Sequence, residues 1–261
     1  MASFKLGDIV IDRIQTGYAE DLEGTPLYAL SQLDEATINI SAESKEAKDR
    51  DGVLIKKFWT AKSGTLEAKN AMLNLNVIGT ASGSDAEIAT SQKPITMPKI
   101  IIVENGATGV TLTGFVDGTV KVNKLEPNGA ISTAFVKDTT ASATAYALTT
   151  EGAFTPPTGA TGDRYLVRYD RSVTAGIALY NKADKFPKTV RLILKALCVD
   201  PCDADTLRAC YIVLPSFQIS PEVNISLQTD GTLDYKGDLQ ADYCSADKSL
   251  YEFYLADDDE E

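Results

Sequence analysis

The chain has 261 residues, no histidine, and 37 acidic against 25 basic side chains, a net charge of −12. Lack of histidine removes the commonest general base and metal ligand. A strongly acidic chain repels nucleic acid and anionic membranes instead of gripping them through a basic patch.

The start, Met1 to Asp8, has no long apolar run, so no signal peptide is expected. No stretch approaches the ~18 apolar residues of a membrane span. The expectation is a protein assembled in a cytoplasm, with no membrane anchoring and with reduced thiols.

Turn signals recur along a chain rich in Thr, Val, Ile and Tyr, which predicts a mostly-β sandwich or barrel. Residues 36–44 alternate and read as a strand. Asp49-Arg50-Asp51-Gly52 reads as a turn, and residues 53–60 as the returning strand. Residues 63–69 read as a third short strand. For residues 70–78, periodicity leaves strand and short helix open. Residues 79–98 read as a loop, ending in Pro94 and Pro98.

Residues 99–104 read as a central strand. Strands follow at 109–116, 119–125 and 130–136, the first two joined at Asp117-Gly118. Residues 139–150 are low in complexity, and Pro156-Pro157 breaks any regular element. Residues 165–169 read as a further strand. Residues 189–199 and 207–217 form a strand pair across a turn at 200–205. Residues 220–227 and 233–241 form a last pair around Thr229-Asp230-Gly231-Thr232. Residues 251–254 read as a short final strand, before an acidic, solvated tail from Asp257 to Glu261. From Ser220 onward there are twelve acids and two lysines.

Two blocks carry a resemblance. The first runs from Thr37 through Asp51-Gly52, Phe58 and Ser63-Gly64-Thr65-Leu66 to Asn70-Ala71. The second runs from Val190 to Asp242 and includes Leu214-Pro215, the stretch Val223 to Gly231, Tyr235 and Leu239. Both resemble the phage major tail (tail tube) proteins: an N-terminal hairpin with a charged tip, and a closing set of strands.

That resemblance implies a mainly β, tail-tube-like β-sandwich or barrel with long hairpin and loop extensions and few short helices. Residues 1–94 and 176–261 would form the tail-tube-like domain. Residues 95–175 would be a β-rich elaboration or inserted module. Residues 36–69, 190–217 and 223–241 would supply the inner sheet. It further implies a virion tail protein whose copies form stacked, hexameric rings around a channel for DNA. Tail sheath, tail terminator and baseplate proteins would be partners, and DNA would pass without specific binding. No cofactor, metal or catalytic residue is expected. The expected assembly contacts are Lys45, Asp51, Lys56, Lys57, Phe58 and Trp59, together with the hairpin tip from Glu43 to Lys57 and the 79–98 loop. Phe58 and Trp59 face opposite sides of one strand, so each is either a core plug or a contact to a neighbour.

Other readings were weighed on the residues. Cys198, Cys202, Cys210 and Cys244 lack paired C-x2-C knuckles, so free thiols are favoured over a zinc site or a disulfide. Asp200, Asp203 and Asp205 lack the spacing of a calcium loop. Asn105-Gly106-Ala107-Thr108-Gly109 lacks the Lys-Ser/Thr of a phosphate cradle. A capsid decoration or other virion surface protein is the structural alternative. A carbohydrate-binding module or carboxylate glycosidase is the alternative from another class, with Tyr165, Tyr169, Tyr180 and Trp59 as its available aromatics.

Overall fold

A computed structural model describes residues 8–31, 33–72, 74–201, 203–222, 233–243 and 246–260. In chain order the elements are β1 Val10–Glu20, β2 Pro26–Leu30, β3 Leu33–Lys48, β4 Leu54–Asn70, α1 Leu75–Ser82, β5 Glu87–Ile88, β6 Ile95–Glu104, β7 Val110–Thr111 and β8 Lys121–Leu125. There follow β9 Ile131–Asp138, β10 Ala145–Leu148, β11 Ala153–Thr155, β12 Arg164–Val173, β13 Ile177–Ala178, β14 Thr189–Asp200, β15 Asp203–Ile219, β16 Leu233–Leu239 and β17 Glu252–Glu260. The protein is mainly β, as expected, with one helix among the described residues. It divides into two compact units, one reaching to Ala86 and resuming at Leu179, the other spanning Glu87–Ala178.

The first unit is built on one sheet, ordered β2-β1-β14-β15-β16-β4-β3, with β17 added beside β15. Its inward side chains alternate with outward ones. Strand β14 buries Val190, Leu192 and Leu194, and β16 buries Leu233, Tyr235 and Leu239. These meet Leu66, Leu214 and Phe217 in a single core. At its centre the Tyr28 and Tyr235 hydroxyls hydrogen-bond each other at 2.8 Å. Burial drives the Tyr28 phenol up to about 12, and it drives Tyr235 well above its ordinary value too.

Helix α1 packs Val77, Ile78 and Ala81 into this core. Asn74 caps its start by accepting from the Asn76 and Val77 backbone N–H groups. Gly83 ends it in the left-handed conformation, φ +64°, where a Cβ would run into the Phe186 backbone. Within the stretch from 70 to 78, Asn70 ends β4 and residues 75–78 are helical, and the cap, not periodicity, marks the change. The 79–98 segment is not one loop. Residues 79–82 finish the helix, β5 pairs β13, and residues 95–98 already belong to β6.

The predicted strands at 53–60 and 63–69 are one continuous strand, β4. Gly64 lies inside it opposite Ile40 and Leu239. The turn at 200–205 is shorter than expected, because β15 begins at Asp203. The tail is not simply a solvated end, since β17 carries its backbone into the sheet as far as Glu260. Val223 to Thr232, with the turn expected there, lies outside the described residues.

The second unit carries a sheet ordered β6-β12-β8-β9-β10-β11-β7. Its core packs Val103, Val122, Tyr146, Phe154, Tyr165, Val167 and Tyr169. Three expectations change here. The apolar run at 99–104 is an edge strand, not a central one; Ile100 and Ile102 are 64% and 55% exposed. The expected 109–116 strand shrinks to β7, which pairs β11 instead of β8, so Asp117-Gly118 makes a turn but no hairpin. The hairpin that does form joins β8 to β9, where the Glu126 N–H donates to the Ala130 carbonyl and Asn128 accepts from the Ala130 N–H. The low-complexity stretch contains β10, whose Ala145, Tyr146 and Leu148 are buried.

Candidate assembly surfaces

Strands β3 and β4 outrun the sheet they belong to. β16 pairs β4 only from Gly64 to Asn70, whereas β3 stays with β4 from Asn70 back to Leu54. The far halves of the two strands therefore form a two-stranded arm. Residues 54–63 are exposed without interruption. An isolated two-stranded ribbon is marginal in water, so an arm this long is held by little besides its own ladder.

The tip is well made. The Asp49 carboxylate accepts from the Asp51 and Val53 N–H groups at 2.9 and 2.8 Å, and Gly52 supplies φ +84°. Asp51 is thus a turn residue at the end of the arm.

Behind the tip the sequence does not alternate. It runs in doublets, Leu54-Ile55, Lys56-Lys57, Phe58-Trp59. Because neighbours on a strand face opposite sides, doublets give both faces of the arm the same make-up: an aliphatic, a lysine, an aromatic. Lys45 lies opposite Phe58, Ala47 opposite Lys56, Ser44 opposite Trp59 and Glu46 opposite Lys57. So Lys45, Lys56 and Phe58 share one face, and Lys57 and Trp59 share the other. The Lys56 ammonium sits 5.2 Å from the Phe58 ring centroid and that of Lys57 4.7 Å from Trp59, contacts worth about 0.5–1 kcal/mol at exposed sites. Phe58 is 49%, Trp59 66% and Ile55 68% exposed. Neither aromatic plugs this chain's own core.

Charge is divided too. Residues 43–62 of the arm hold six bases and four acids, +2, while the rest of the first unit holds 25 acids and 11 bases, −14. Asp21 and Glu252 are held below the ordinary carboxylate range by local donors. The Tyr254 and Ser249 hydroxyls keep Glu252 below its ordinary range.

The other singled-out residues have structural places. Cys198 and Cys210 are free and buried beside Ala196, and burial pushes the Cys210 thiol up to about 12. Cys202 and Cys244 lie outside the described residues. No metal-holding group of three His, Cys, Asp or Glu occurs among the described residues. Tyr165 and Tyr169 are core residues of the second unit and offer no exposed aromatic platform. Asn105 clamps a loop, donating to the Gly159 carbonyl at 2.8 Å and accepting from its N–H at 3.1 Å. No helix among the described residues is long and apolar enough to cross a membrane.

A β protein that projects an arm with apolar side chains bared on both faces belongs to the class of assembly subunits. The model of the YomU/Tube protein family matches residues 10–251, and the chain belongs to that family of phage tail tube proteins. It is a structural component of the virion tail that oligomerises. No curated protein matches the chain.

Proposed function

We propose that the chain is the repeating subunit of a tail tube. Copies close into rings, hexameric as the tail-tube resemblance implies, and the rings stack into a channel that passes DNA. The observation that carries this reading is the arm: apolar side chains exposed on both faces require a partner on both faces. Lys45, Asp51, Lys56, Lys57, Phe58 and Trp59 are its proposed contacts.

The sheet supports the reading in a second way. β14, β15, β16, β4 and β3 are neighbours in one sheet, the strands expected to line the channel. A ring joins sheets side by side and so removes open edges that would otherwise pair at random. An acidic body repels phosphate, which suits passage of DNA without specific binding. Tail terminator, baseplate and, in a contractile tail, sheath proteins would meet the ends and outside of such a tube.

Purified protein should form rings or tubes in negative-stain images and sediment as an oligomer. A chain that stays monomeric at high concentration, across salt and pH, overturns the proposal.

A further inference from the structure

The first unit's sheet does not close on itself. Its two terminal strands are β2 and β3. β2 covers β1 only over Gly17 to Glu20. Residues 10–14 of β1 pair with β14 on one side and, among the described residues, with no strand on the other. The sheet curls until β3 faces this bare stretch, and a cavity of about 280 Å³ opens between them. Its walls are mostly apolar, with Ile11, Ile14, Leu33, Ile38, Leu194 and Ile212, and the charged Asp12, Arg13 and Glu35 complete the lining. Ile9, Val10 and Ile11 are exposed at the same seam. The volume falls just below the roughly 300–1,000 Å³ of small-molecule sites, and it suits one large side chain.

Among the described residues two features stand without a covering partner: a mostly apolar slot beside a bare strand edge, and an arm with bare apolar faces. A strand edge of this kind accepts an added strand through main-chain hydrogen bonds, with side-chain pockets giving specificity. The charges suit each other, +2 on the arm against −14 on the body that holds the slot. A surface and a different, complementary surface on one chain make a head-to-tail contact, which propagates.

We infer that the seam between residues 10–14 of β1 and the facing part of β3 receives the arm of a second copy. The stretch 54–59 adds along β1, and the Trp59 indole enters the cavity. This rests on the self-assembly proposed above and names where the arm lands.

The test is site-specific photocrosslinking. A benzophenone amino acid replaces Ile11 in the full chain, assembled from an equal mixture of unlabelled and ¹⁵N-labelled protein. The expected result is crosslinks from position 11 to residues 53–60, joining labelled to unlabelled chains. Trp59→Ala should raise the concentration needed for assembly about tenfold or more, while Trp59→Phe largely restores it and the melting of the unassembled chain stays unchanged. Tubes whose crosslinks fall elsewhere, or only within one copy, overturn this inference and leave the tube reading standing. A chain that forms no assembly in any arm of the experiment overturns both.

Discussion

The two units share a β architecture and differ in charge. Residues 87–178 carry eight acids and eight bases, while the rest of the chain carries 29 acids and 17 bases, so the first unit holds the whole net charge of −12. They differ as well in what they leave uncovered. The first unit bares an arm and a seam. The second ends its sheet in β6 and the two-residue β7; β6 carries Pro98, a residue that suits an edge because it has no N–H to give a ladder. The neutral unit has its own core. The acidic unit, in contrast, carries the arm and the seam that the proposed assembly would cover. The lesson is that charge and unsatisfied surface travel together here.

The largest effect that would break this comparison is in the cores. Phe217 is fully buried against Tyr235 in the first unit. Phe217→Ala should cost that unit about 3–5 kcal/mol, read as a lowered denaturant midpoint, with the second unit's transition unmoved. A shift of both transitions together would show that the units fold as one.

Alkaline titration comes next. The Tyr28 phenol is raised to about 12 in the fold. A group raised above its unfolded value near 10 contributes stability that is complete below pH 10 and is lost as pH climbs toward 12. The loss should be of order 3 kcal/mol, seen as a falling melting temperature across that window. Tyr28→Phe should remove this share of the loss and leave the part that the raised Tyr235 contributes.

Hydroxyl deletions sharpen the contrast further. Tyr28→Phe leaves the buried Tyr235 hydroxyl without its bond and should cost about 1–2 kcal/mol. Tyr169 in the second unit is equally buried, but its hydroxyl has no hydrogen-bond partner among the described residues. Tyr169→Phe should be neutral or slightly stabilising. Chemical denaturation of both variants decides this.

The smallest effect is expected at the arm. Trp59→Ala should change the stability of the unassembled chain by less than about 0.5 kcal/mol, because the indole is two-thirds exposed and lies beside Lys57 on the arm. A large loss of stability would place Trp59 in the chain's own fold.

Much of the arm was legible before the fold was known. Asp49 to Gly52 has turn chemistry, and the residues flanking it have strand propensity. The doublets Lys56-Lys57 and Phe58-Trp59 already forbid a strand with one wet face. Other features were not legible. The Ile100–Ile102 run reads as central because apolar runs are the mark of strands buried on both faces, and only pairing reveals an edge. Asp117-Gly118 reads as a hairpin because local turn chemistry cannot say that residues 110–111 will pair with residues 153–155. The cavity at the seam was invisible, since Ile14, Ile38, Leu194 and Ile212 lie far apart along the chain.

The sequence by itself determined that this protein is β-rich, acidic and without histidine, and that it has a charged-tip hairpin like that of the tail tube family. Those are consequences of composition, period-2 patterning and turn residues, all of which act over a few neighbours. Tertiary structure alone decided that residues 54–63 run beyond the reach of β16 and that, among the described residues, residues 10–14 of β1 keep a bare edge facing β3. It also decided that the acidic tail joins β15 as a strand. Each of these depends on which distant strands pair and in what register, and register is set by burial across the sheet, not by the residues next in the chain.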